Sequence, residues 1–246
     1  MAGAGPAPPS RLALAATGPA PAGNPQGVAG GWGTVVNDAQ EQPQLEQWAW
    51  VPPDKVATQR FPGERELRLK VCLLGEPSVG KTSLIRRFVH DLFDDAYVET
   101  LGAKLTGKEL RVRHRPTAAA FHVGLQLWDI AGQHKADFVR STHYRGAAGG
   151  LVVCDLTRHS TFEAVPRWVD SFHASAGPTP VVLLINKQDL EQGAQVRPAE
   201  VRALCSEHGL LAVGTSALSG AGVEQGVRSL LVGLLQGHLR GAPSQE

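Results

Sequence analysis

The sequence predicts a three-layer α/β domain: a six-stranded, mostly parallel sheet with one antiparallel edge strand, covered by about five helices. Three observations predict it. Apolar runs of strand length recur from Leu67 onward, stretches with helical spacing separate most of them, and the polar clusters fall just after the strands. In an open α/β sheet the carboxyl ends of the strands are where ligands bind, so the last observation already points to a site.

The first run, LRLKVCLLG at residues 67 to 75, alternates and then turns continuously apolar, as a strand buried on both faces should. GEPSVG breaks it, and KTSLIRRFVH then places Leu84, Ile85, Phe88 and Val89 on one helical stripe. Residues 103 to 113 and 120 to 130 both show period-two character and flank a polar loop with Pro116, which predicts an antiparallel hairpin. Three further strands are expected at residues 149 to 155, 180 to 186 and 210 to 216, with helices at 159 to 174, 198 to 208 and 222 to 238.

The 246 residues divide by composition. Residues 1 to 66 contain MAGAGPAPPS and GPAPAGNPQG and read as a disordered extension rich in Ala, Gly and Pro. Residues 67 to 240 read as one globular domain and residues 241 to 246 as a disordered tail. With 24 Lys+Arg against 23 Asp+Glu, the net charge of +1 argues against a nucleic-acid partner. The three cysteines are scattered, the first two of them within apolar runs, and fit a reducing, cytoplasmic setting. No run approaches the roughly 20 apolar residues that span a bilayer.

GEPSVGKT at residues 75 to 82 fits the pattern Gly, four residues, Gly-Lys-Ser/Thr between a strand and a helix. In that context loop amides and the positive end of the helix bind phosphate, Lys81 reaches the outer phosphates and the Thr82 hydroxyl coordinates Mg²⁺. The loop would use Gly75, Ser78, Val79, Gly80, Lys81, Thr82 and Ser83. The base would be chosen by NKQD at residues 186 to 189, because Asp189 can accept from both N1–H and the exocyclic amino group of guanine, a pair adenine lacks. Asn186 and Lys187 would tie this segment to the phosphate loop and cover the base.

GEPSVGKT, WDIAGQ at 128 to 133, NKQD and TSAL at 215 to 218, with YVETLG falling between the first two, together resemble the Ras superfamily of small GTPases, the Rab-like and Ran-like members most, over residues 67 to 240. That resemblance implies a P-loop NTPase fold and a molecular switch that binds GTP with Mg²⁺, hydrolyses it slowly to GDP and phosphate, and regulates an effector. It implies that Thr100 binds Mg²⁺ and senses the γ-phosphate, that Tyr97 closes over the phosphates and that Phe93 packs edge-on against guanine. A hydrophobe capping the first helix is the alternative for Phe93. Asp129 would hold Mg²⁺ through water, Gly132 would give its amide to the γ-phosphate, and Gln133 would orient the attacking water, making Gln133, Lys81 and Thr100 the catalytic set. Ser216 and Ala217 match the segment whose amide reads guanine O6, and Leu218 stands where the family usually has lysine.

Partners implied by the resemblance are an effector, an exchange factor and a GTPase-activating protein, engaging a monomer through residues 93 to 104 and 129 to 145. Pro77, which has no N–H, and Ser78 are expected to weaken the cradle modestly without abolishing hydrolysis. Together with Leu218 they motivate the alternative of a non-hydrolysing GTP-binding scaffold. The last cysteine is Cys205 and residue 2 is Ala, so neither a terminal prenyl group nor a myristoyl group is expected, and membrane recruitment would run through partners. In the extension, residues 45 to 53, with Trp48 and Trp50, read either as a docking motif or as chain that packs loosely on the domain or forms an unstructured leader.

Overall fold

The computed structural model describes residues 44 to 93, 102 to 130 and 142 to 240, all belonging to the compact unit Gly31–Glu246. Among the described residues seven strands form one sheet: β1 (Trp48–Trp50), β2 (Arg65–Leu74), β3 (Ala103–His114), β4 (Ala120–Ile130), β5 (Gly149–Asp155), β6 (Val181–Asn186) and β7 (Leu211–Gly214). Their order is β1-β3-β4-β2-β5-β6-β7. Strands β4, β2, β5, β6 and β7 run parallel, and β3 is antiparallel to both of its neighbours.

Helices α1 (Lys81–His90), α2 (His159–Glu163), α3 (Val165–Ala176), α4 (Pro198–His208) and α5 (Val223–Arg240) lie on the two faces. One core holds Leu84, Ile85 and Phe88 of α1 with Leu230, Leu231 and Leu235 of α5. The other holds Trp168 and Phe172 of α3 with Val201 and Cys205 of α4. β5 is buried along its whole length, as its unbroken apolar run requires. α4 begins on Pro198, with the Glu200 carboxylate accepting from the Arg197 amide at 2.9 Å, so its first turn is closed by the chain's own residues. Helix α5 rides close on the sheet because Gly226 has no side chain: a Cβ there would stand 2.5 Å from Leu184 Cδ2. All three cysteines are buried as free thiols. No helix of the described residues is long and apolar enough to cross a membrane.

The sequence-based expectation of six strands, with the antiparallel member at the edge, is corrected in one respect. Trp48–Trp50, assigned to the extension, pairs antiparallel with His114 to Val112 and becomes the edge itself. Val51 donates to Arg111 O at 2.9 Å and Arg115 donates to Gln47 O at 2.7 Å, closing both ends of the pairing. The Trp48 ring is 3% exposed, with ring centroids 4.7 Å from His114 and 6.0 Å from Phe121. Trp50 lies under Arg228, 5.0 Å from ring centroid to guanidinium carbon. Within residues 45 to 53, Trp48–Trp50 are strand and Trp48 and Val51 are buried, so the Trp48 indole that a docking motif would offer to a partner is spent inside the fold. The folded chain reaches back beyond residue 66, while the tail at 241 to 246 and residues 1 to 43 lie outside the described residues.

Candidate functional site

The parallel strands β2, β4, β5 and β6 end on the same side of the sheet, and the described segments that follow β2, β5 and β6 come together there. The loop from β2 to α1 is shaped by two glycines that accept no substitute. Gly75 has φ +128°, and a Cβ there would lie 2.2 Å from Val153 O. Gly80 has φ +100°, and its Cβ would lie 2.3 Å from Asn186 Nδ2. The second close approach is a contact: Asn186 Nδ2 donates to Val79 O at 2.8 Å. Val79 itself is fully buried, which anchors the loop in the core.

Lys81, the first residue of α1, is 7% exposed, and its ammonium donates to Gly75 O and Glu76 O, both at 2.8 Å. Burial lowers its pKa from the usual 10.5 to about 8, against the opposing pull of the Asp129 and Glu76 carboxylates. The Thr82 hydroxyl, one residue on, donates to Asp129 Oδ2 at the end of β4. Asp129 is 2% exposed. A hydroxyl and a buried carboxylate side by side are the hard oxygen donors a magnesium ion takes, so the residues present fit that ion. Ser83 is half-buried.

On the far wall, Asn186 Oδ1 accepts from the Ala217 amide at 3.2 Å and from Thr215 Oγ1 at 3.4 Å. The exposed Asp189 carboxylate is oriented by the Ser216 hydroxyl, and Gln188 donates to Thr215 O at 3.1 Å. The structure thus brings Asn186, Lys187, Asp189, Ser216 and Ala217 together. Leu218 lies beside them, 48% exposed. Phe93 follows α1 and packs half-buried against the core on the α1 side, the placement of a capping hydrophobe. Tyr97, Thr100, Gly132 and Gln133 lie outside the described residues.

Sequence reasoning missed Asp155. This carboxylate ends β5 with no exposed surface and is bonded by Lys187 Nζ at 2.6 Å and Arg158 Nε at 2.8 Å. Burial alone would push its pKa up, but hydrogen bonds from Lys187, Thr157 and Arg158 outweigh burial and hold it below the usual carboxylate range. The available signal was a charged residue closing an otherwise apolar strand, GGLVVCD, at the ligand-binding end of the sheet.

A parallel sheet with a glycine loop feeding a buried lysine into the first turn of a helix defines a P-loop nucleotide-binding protein. Residues 70–236 match the sequence model of the Ras family. The chain is 38% identical over 191 residues to the Ras-related protein Rab-32 of Homo sapiens, covering 75% of this chain and 82% of that protein. It is 39% identical over 163 residues to the human Ras-related protein Rab-25, covering 66% of this chain and 74% of the relative. It is 35% identical over 170 residues to the Ras-related protein RABA4b of Arabidopsis thaliana, covering 69% and 73%. The chain belongs to the Ras family and is a Rab-like small GTPase.

Proposed function

We propose that this chain is a guanine-nucleotide switch, binding GTP with Mg²⁺ in the cleft between Lys81 and Asp189, hydrolysing it slowly to GDP and phosphate, and regulating an effector by the difference between the two states. The carrying observation is Asn186, whose amide bonds Val79 O on one side and the Ala217 amide on the other, joining a phosphate-type wall and a base-type wall in one cleft. Asp189 would accept the two guanine donors, and the Ala217 amide would read O6. Lys81 would leave its loop carbonyls for the outer phosphates, and the amides of Ser78 to Thr82 would cradle the inner ones. Thr82 and Asp129, with Thr100, would hold Mg²⁺, which when bound neutralises charge on the phosphate oxygens.

Gln133 would orient the attacking water, Gly132 would donate to the γ-phosphate, and Tyr97 would close over the phosphates. No strong base is needed, because phosphoryl transfer is helped chiefly by positioning and charge stabilisation. The effector, exchange factor and activating protein would bind a cytoplasmic monomer through residues 93 to 104 and 129 to 145, and partners would supply any membrane recruitment.

Protein purified with Mg²⁺ is expected to release mainly GDP on denaturation. A single turnover of added GTP then yields GDP in the parent and stalls in Gln133→Leu. Bound GTP that persists in the parent instead favours the non-hydrolysing scaffold, for which Pro77 and the exposed Leu218 are the structural grounds. Nucleotide release of another kind, or none, defeats the guanine reading.

Affinity should also depend on pH through Lys81. Phosphate needs the ammonium form, and in the nucleotide-free protein that form is lost as pH rises through about 8. Affinity is therefore full below that value and falls above it. Between pH 7 and 8.5 a pKa near 8 predicts a loss of about fourfold in GDP affinity, measured by titration calorimetry. Arginine at the same position, whose charge does not titrate there, is expected to bind more weakly but with a flat profile over that range.

A further inference from the structure

The phosphate loop is held from outside as well as from within. Its second residue, Glu76, accepts from Arg167 at 2.7 Å and from the Trp168 indole at 3.0 Å, both on α3. Its third residue, Pro77, presents its carbonyl to Arg158 Nη2 at 3.0 Å. The same guanidinium donates through Nε to Asp155 Oδ2 at 2.8 Å. Asp155 Oδ1 accepts from the Thr157 amide at 3.0 Å and hydroxyl at 2.7 Å. Lys187, from the opposite wall of the cleft, meets Asp155 Oδ2 at 2.6 Å.

The bond to Pro77 has a stereochemical consequence. In a trans peptide the carbonyl and the following N–H point in opposite directions. By holding the Pro77 carbonyl, Arg158 therefore also fixes the direction of the Ser78 N–H. The setting is unfavourable without such a tie, since Ser78 has φ +61°, a left-handed conformation that costs a residue with a side chain. It also matters more here than in a loop of five ordinary residues, because Pro77 contributes no amide of its own.

We propose that Arg158 is a positioning residue for nucleotide phosphate, itself held in place by buried Asp155, which Lys187 also engages. This inference rests on the guanine-nucleotide reading above. Arg158 touches neither phosphate nor base. It acts by aiming a backbone donor, and its guanidinium fork is what lets one side chain hold the Pro77 carbonyl and the Asp155 carboxylate at once.

The test uses the full chain with Arg158→Ala and Arg158→Lys. Release of fluorescent GDP is followed by stopped flow, and the affinities of GDP and of guanosine, which carries no phosphate, are measured by competition. Arg158→Ala is expected to release GDP about tenfold faster, the size of one partly exposed charge-assisted hydrogen bond, with guanosine affinity within about twofold of the parent. Arg158→Lys should fall between the two, because an ammonium reaches one partner but not both, and it keeps the comparison available if the alanine variant folds poorly. Unchanged GDP release in Arg158→Ala overturns the proposal while leaving the nucleotide reading intact. Equal weakening of GDP and guanosine overturns it too, since that marks general loosening of the fold. A parent protein that binds neither removes the nucleotide reading and this inference with it.

Discussion

Asp189→Ala is expected to lower GDP affinity by about a hundred- to ten-thousandfold, since it removes the shared acceptor for two guanine donors and each hydrogen bond to a charged group contributes about 1.5–3 kcal/mol. The more telling readout is selectivity. Inosine diphosphate lacks the exocyclic amino group, so the parent should prefer GDP over it by at least tenfold, and Asp189→Ala should bind the two about equally. Asp189 is exposed, and Ser216 keeps a second bond, accepting from the Ser219 amide at 3.1 Å, so the variant should melt within a few degrees of the parent. A variant that still prefers GDP tenfold would place base recognition elsewhere in the chain.

Trp48→Ala is the substitution expected to cost most in stability, about 3–5 kcal/mol, the range for truncating a buried aromatic. For a domain of this size that corresponds to a fall of roughly 10 °C in melting temperature. The indole fills a socket made by His114 and Phe121, and its loss also weakens the short β1–β3 pairing that covers the end of a long strand. The socket is at the His114 end of β3, whereas Asp129 pairs with Lys104 near the other end. GDP affinity measured well below the melting temperature should therefore match the parent. Normal stability with loss of a bound partner protein would restore the docking role that burial of Trp48 argues against.

The central strands and the helices were legible because each carries a period long enough to read. GGLVVCD and VVLLIN are apolar runs closed by a single polar residue, and α1 shows its stripe in Leu84, Ile85 and Phe88. The two walls of the cleft were legible for a different reason: GEPSVGKT and NKQD concentrate their chemistry in adjacent residues, and the fold needs only to bring the two strand ends together. β1 was not legible, because three residues cannot display a period and its pairing is decided by β3, far along the chain. Asp155 and Arg158 escaped for a related reason. Each is ordinary by itself, a strand-ending acid and a residue before a helix, and only the approach of β5 and β6 to the β2 loop makes them a network.

The edge strand has a consequence for biosynthesis. β1 is the first described strand to leave the ribosome, yet His114 and Phe121, which receive its tryptophan, are made only after β2, α1 and most of β3. Until the β3–β4 hairpin is complete, Trp48 has no seat and the nascent chain carries an exposed indole. Seating it closes a long loop around β2, a late and non-local step of the kind that slows folding. The first described strand to be synthesised is thus among the parts that wait longest for cover.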